Sequence, residues 1–251
     1  MKTYTTPSGG ANVAALAILN QSHVLIAGAT GSGKSVLINT ILYNTLLFSP
    51  FEKQLILIDP KRVELLDYAY LPHTLTRATE PEQIENALKS AVNLLERRFR
   101  EMERKRLKQY PGSDVYIIID ELADILTTQK RRVLPLLQRI AQIGRAARIH
   151  LIMATQRPTK DILSGQLKVN IDCRIALRCA EKQDSRNIIE RPGAELLPRY
   201  GVALYRSPEY IDPIQIEIEM TPQSKIAERV EFWRRQNTPI SLINRLKRRR
   251  K

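Results

Sequence analysis

The sequence predicts an α/β fold: a mostly parallel central sheet flanked by helices on both faces. Two observations lead there. Short β-branched runs alternate along the chain with longer helical patterns, and those runs are almost continuously apolar, as strands covered on both sides must be. Residues 24–28 read as the first strand and 34–48 as the helix behind it. Strands follow at 55–59, 115–120, 149–155 and 174–177, with helices at 81–107, 130–147 and 184–190. The pattern then shortens to strands at 202–205 and 214–218 and a last helix from 222 to about 236. This divides the chain into a main domain at 1–220, with a short lead-in over 1–22, and a C-terminal helix and basic tail at 221–251.

Composition narrows the class. A chain of 251 residues with 43% hydrophobic side chains can bury a core of its own. Its net charge of +14 favours polyanionic partners, nucleic acid or an anionic surface. Cys173 and Cys179 have neither the count nor the spacing of a disulfide framework or zinc site, so both are expected as core thiols in a reducing compartment. No apolar run reaches membrane-spanning length and the N-terminus lacks a signal-peptide centre, so the chain as given is expected to be soluble and cytoplasmic.

Gly28-Ala29-Thr30-Gly31-Ser32-Gly33-Lys34-Ser35 matches the P-loop pattern G-x-x-x-x-G-K-[ST] between a predicted strand and a predicted helix. The glycines let successive N–H groups curl around an anion, and the helix N-terminus adds its own donors. Lys34 is then expected on the β- and γ-phosphates of ATP and Ser35 on Mg²⁺. The apolar strand 115–119 ends in Asp120 and Glu121, giving Asp120 to the Mg²⁺ shell and Glu121 to the attacking water. Gln156, after the strand 149–155, is positioned to sense the γ-phosphate.

With these residues in place the chain resembles the FtsK/SpoIIIE family of DNA translocases, over residues 23–205. The blocks that carry the resemblance are 23–35, LIDPKRVEL at 57–65 with Pro72-His73, IDELAD at 119–124, GRAA at 144–147, ATQRP at 154–158 and DSR at 184–186. It implies a RecA-like core assembled as a hexameric ring around double-stranded DNA, with ATP between neighbouring subunits. Arg145 is the implied arginine finger, with Arg148 and Arg174 as substitutes. Two stretches, 157–170 with Arg157, Lys160 and Lys168, and 181–187 with Lys182 and Arg186, are the implied DNA contacts, to phosphates rather than bases. Lys61 and Glu64 are assigned to subunit-interface or nucleotide contacts.

The sequence departs from the family in lacking membrane-spanning helices, a long linker and a winged-helix module, and in carrying Arg148 where the family usually has Gly. The stretch 96–108, with seven basic and three acidic residues at helical spacing, reads as a solvated, salt-bridged helix face. The tail 245–251, with six positive charges in seven residues, is expected to raise affinity for DNA without sequence choice. The leading reading is an ATP-driven translocase of duplex DNA from a mobile element, plasmid or phage. A coupling or packaging ATPase delivering DNA to a membrane channel or capsid, a nucleotide-gated DNA-binding assembly protein and a small-molecule P-loop kinase are the alternatives.

Overall fold

The computed structural model describes residues 18–162 and 165–236. Its centre is an eight-stranded sheet in the order β3-β2-β4-β5-β1-β6-β7-β8. The strands are β1 (His23–Ala27), β2 (Lys53–Ile58), β3 (Thr74–Ala78), β4 (Asp114–Ile119), β5 (Ile149–Thr155), β6 (Cys173–Ala176), β7 (Val202–Arg206) and β8 (Ile214–Glu217). The first six run parallel, and β7 and β8 add an antiparallel edge. Because β1, β4, β5 and β6 are parallel and in register, the loops leaving their C-terminal ends share one edge of the sheet.

The strand alternation of two explains the layers. Ile56, Val115, Ile117, Ile119, Leu151 and Met153 face one side with Leu88, Leu95, Leu137 and Ile140 of α2 (Pro81–Lys105) and α3 (Leu122–Ile143). Leu55, Leu57, Tyr116, Ile118 and Ile152 face the other with Leu37 and Ile41 of α1 (Lys34–Thr45). The C-terminal helix α6 (Gln223–Gln236) lies on this second side, with Ile226 and Val230 buried and the Trp233 indole donating to the Leu46 carbonyl at 2.8 Å. Two short helices, α4 (Gly165–Val169) and α5 (Lys182–Ile189), flank β6.

Three elements were absent from the sequence reading: the strand β3, the first turns of α3, and the short helix α4, which lies in the stretch 157–170 read as a loop. The strand β3 was not expected: its TLTRA sequence is polar because it is an edge strand, intermediate to exposed until Ala78. The helix expected from 130 does start there, directly after a kink at the non-helical Gln129 (φ −143°, ψ 33°), and ends at Ile143; the helical stretch from Leu122 up to that kink was not expected. Leu122, Ala123, Ile125 and Leu126 are buried, so the first turns are held by tertiary packing.

In the basic stretch of α2 the solvated reading holds for the Lys105–Glu101 pair, and Glu96 reaches Arg139 of α3. Arg98 is the exception. It is buried and donates to the carbonyls of Ala147 at 2.7 Å and Arg148 at 3.1 Å, tying α2 to the loop before β5. No helix among the described residues is long and apolar enough to cross a membrane. The tail 245–251 lies outside the described residues.

Candidate functional site

The P-loop leaves β1 at the shared sheet edge and turns into α1. At Gly28 a Cβ would stand 2.6 Å from Ser32 Oγ and 2.8 Å from Leu177 Cβ, so only glycine allows the loop to fold back on itself. Gly33, the N-cap of α1, sits at φ 94°, in the left-handed region that a side chain disfavours. Lys34 follows at the first position of α1 and is buried. Its Nζ lies 3.2 Å from the Asp120 carbonyl and 3.3 Å from Glu121 Oε2, so the motifs after β1 and β4 meet across the tip of the intervening β5.

Glu121 is itself buried and held from several directions. The Thr155 hydroxyl donates to Oε1 at 2.7 Å, and the Gln156 backbone N–H donates to both carboxylate oxygens at 3.1 and 3.2 Å. Lys61 Nζ, from the loop after β2, stands 3.5 Å from Oε2. Burial pushes this carboxyl up, but Lys34, the Thr155 and Gln156 hydrogen bonds and Lys61 together bring it below its ordinary range. Asp120 shifts the other way. Burial raises it to about 6, with Lys34 opposing and Glu64, Asp59 and Glu121 reinforcing the rise.

Two buried polar atoms here have no hydrogen-bond partner: Ser32 Oγ and Asp120 Oδ1. An unpartnered buried carboxylate oxygen beside a P-loop fits the outer shell of a hydrated Mg²⁺. No cluster of three acidic, histidine or cysteine side chains among the described residues makes a self-sufficient metal site.

Gln156 sits where the sequence placed it. Its side-chain oxygen accepts from the Thr30 hydroxyl at 2.9 Å, bridging the tip of β5 to the P-loop. Arg199 was not foreseen. It reaches back from the loop before β7 to donate from Nε to the Gly31 carbonyl at 3.4 Å and lines, with Ala29, Ser32, Arg178 and Glu195, a cavity of 340 Å³ beside the P-loop. Only tertiary folding brings this arginine to the loop, and no local motif marks it.

The arginines separate by environment. Arg145 is exposed, in the loop before β5. That loop is at the opposite end of the strand from Gln156, ~20 Å from the P-loop edge at about 3.3 Å per strand residue. Arg145 therefore does not reach its own P-loop.

The two proposed substitutes are corrected. Arg148 makes a bidentate pair with Asp114 at 2.9 and 2.6 Å, and Arg174 is buried, donating to Ile171 O, Lys168 O and Glu190. Both guanidiniums are thus already committed to carboxylates of the same chain. Arg148 also holds φ 55°, the conformation glycine adopts readily, and the Asp114 pair offsets the strain of placing a side chain there.

Lys160, Lys168 and Arg186 line one cavity of 550 Å³ with Gln183, Asn187 and Glu190. Lys160, Arg157, Lys182 and Arg186 are exposed. Lys168 is tied down, 3.4 Å from Glu190, a carboxylate that also pairs with Arg174 and Arg206. Glu64, half-buried, adds negative charge beside Asp120, and Lys61 faces Glu121.

A strand-loop-helix P-loop, a strand-end acidic pair and a parallel sheet covered on both faces define a P-loop NTPase core. The FtsK/SpoIIIE family model matches residues 8–115 and 107–160, and the chain belongs to that family. The DNA translocase FtsK of Halalkalibacterium halodurans is 39% identical over 231 residues, covering 84% of this chain and 29% of that protein. The DNA translocase FtsK of Pseudomonas aeruginosa is 35% identical over 254 residues, covering 86% of this chain and 31% of that protein. The chain thus spans about three tenths of the length of these relatives.

Among solved structures, the pCW3 conjugation coupling protein TcpA, in its monomer form with ATPγS, superposes with a TM-score of 0.75 at 24% identity, over 86% of this chain and 66% of that one. The cytoplasmic domain of the Thermomonospora curvata Type VII secretion ATPase EccC gives a TM-score of 0.73 at 22% identity, over 84% and 28%. These likenesses establish the fold.

Proposed function

We propose that this chain is the ATP-hydrolysing motor domain of a double-stranded DNA translocase, working in the cytoplasm as a hexameric ring. The observation that carries the reading is the joining of Lys34 to Glu121 at 3.3 Å, with Glu121 buried and braced by Thr155 and Gln156. A degenerate switch has no use for an oriented, buried carboxylate beside its P-loop lysine.

In this reading the P-loop N–H groups and Lys34 bind the phosphates of ATP. Ser35 and Asp120 would hold Mg²⁺, which when bound neutralises charge on the β- and γ-phosphoryl oxygens. Glu121 accepts a proton from the attacking water as the water oxygen bonds to the γ-phosphorus and the bond to the β-bridging oxygen breaks, leaving ADP and phosphate. Gln156, which reaches the P-loop through Thr30, links the γ-phosphate position to the segment 157–170.

Arg145, exposed at the far edge, serves a neighbouring subunit's nucleotide. The exposed Arg157, Lys160, Lys182 and Arg186 meet DNA phosphates, joined by Lys168 once it leaves Glu190, which suits a motor that must pass any sequence. The test is steady-state ATP hydrolysis with and without long duplex DNA, for wild type and Lys34→Ala. Stimulation by duplex that vanishes in the variant supports the reading. Hydrolysis indifferent to duplex overturns the motor assignment.

A further inference from the structure

The turn after β2 is more firmly built than its exposure requires. The fully buried Asp59 carboxylate accepts from the backbone N–H of Arg62 at 2.8 Å and of Leu65 at 3.1 Å. Arg62 is held at φ 61°, a conformation disfavoured for a residue with a side chain, and its guanidinium pairs with Glu80, the residue that caps α2. A strained residue fixed from both sides determines where its neighbour points. That neighbour is Lys61, whose Nζ stands 3.5 Å from Glu121 Oε2 and 3.7 Å from Asp124 Oδ2 in the first turn of α3.

Glu121 Oε2 therefore faces two lysines, with Lys34 at 3.3 Å and Lys61 at 3.5 Å. They arrive from different elements and have different duties. Lys34 opens α1 behind the P-loop, where the phosphates of a bound nucleotide compete for it. When it turns to them, Glu121 is left as a buried carboxylate with one fewer cation, a condition that favours its swinging away.

We propose that Lys61 is a positioning residue for hydrolysis: it keeps the Glu121 carboxylate ion-paired and aimed at the attacking water while Lys34 is engaged with phosphate. This rests on the ATPase reading of the same site. Lys61 acts through Glu121, so its loss should slow turnover without weakening nucleotide binding.

The experiment compares wild type, Lys61→Met and Lys61→Arg by steady-state ATP hydrolysis and by equilibrium binding of ATPγS. Lys61→Met is expected to lower kcat by about 10- to 100-fold, within the range of a disturbed general base, with the ATPγS Kd held within about twofold. Lys61→Arg, which keeps the charge, should recover most of the rate. An unchanged kcat in Lys61→Met, a Kd that weakens in step with kcat, or an arginine variant as slow as the methionine one would each overturn the proposal.

A nucleotide-free double-mutant cycle of Lys61→Met and Glu121→Gln, read by urea unfolding, measures the pairing itself. A coupling of about fivefold in the unfolding equilibrium is expected, and none would overturn the pairing whatever the enzyme's turnover. If wild type hydrolyses no ATP while the coupling is present, the ATPase reading falls and takes the catalytic half of the proposal with it.

Discussion

Thr30 donates its hydroxyl hydrogen to the side-chain oxygen of Gln156 at 2.9 Å, which joins the crown of the P-loop to the tip of β5. A γ-phosphate entering between them must compete for, or complete, this bond. Gln156→Ala is therefore expected to leave ATPγS affinity within about threefold while lowering DNA-stimulated hydrolysis by about tenfold or more. Binding calorimetry beside a turnover assay checks it. Equal losses in both would make Gln156 a simple ligand contact.

Gly28→Ala inserts a methyl group into a space bounded by Ser32 Oγ at 2.6 Å and Leu177 Cβ at 2.8 Å. The loop must shift to admit it. ATPγS binding should fall by at least about tenfold, since the N–H cradle is disturbed, with the far-UV circular dichroism retained.

Asp120→Asn should stabilise the nucleotide-free protein while abolishing hydrolysis. The Asp120 carboxyl is raised to about 6, above its ordinary 3.8, so the folded state binds the proton more tightly than the unfolded state. Its contribution to stability is fully present below 3.8 and is lost as the pH rises through 6. At pH 7 the ionised group opposes folding, and removing the charge is expected to add about 1–3 kcal/mol. Thermal melts of the two proteins at pH 5 and pH 7.5 test this, the gain being larger at the higher pH.

Asp114 carries the opposite sign. Burial raises it, but hydrogen bonds from His150 and Arg148 and the charges of both hold it down at about 2. The stability it supplies is present above 3.8 and lost as the pH falls through 2. Asp114→Asn leaves Arg148 in its left-handed conformation with no ion pair and should destabilise the fold by about 2–4 kcal/mol at pH 7. Urea unfolding at neutral pH and at pH 3 should show the difference narrowing in acid.

Arg145→Ala subunits and Lys34→Ala subunits, each inactive alone, should regain hydrolysis when mixed. In the ring proposed above, mixing creates interfaces that pair an intact P-loop with an intact Arg145. No recovery over a range of mixing ratios would place the arginine outside the nucleotide site.

Where the site's motifs lie in the fold could be read from residue order because each is tied to a local backbone shape. A loop that wraps phosphates needs Gly28 and Gly33 at fixed spacing, and a strand-end acidic pair needs the apolar run 115–119 before it. The elements that escaped are those whose cause is distant in sequence. The strand β3 is polar because it stands at the sheet edge, and the early turns of α3 form because Leu122 and Leu126 find the core. Arg98, in a run of alternating charges, gives no local sign that it will be buried against the Ala147 carbonyl. Arg148 and Arg174 look like free cations until Asp114 and Glu190 are seen beside them.

Cys173 and Cys179 are both buried without a disulfide, and burial pushes each thiol up to about 12. Thiolate-directed reagents such as maleimides should leave the native chain unmodified at neutral pH. A single cysteine placed at an exposed position, Ile211 for example, would then carry one dye per chain with no need for a cysteine-free background. Fluorescence from such a dye would then test the proposed movement along DNA directly.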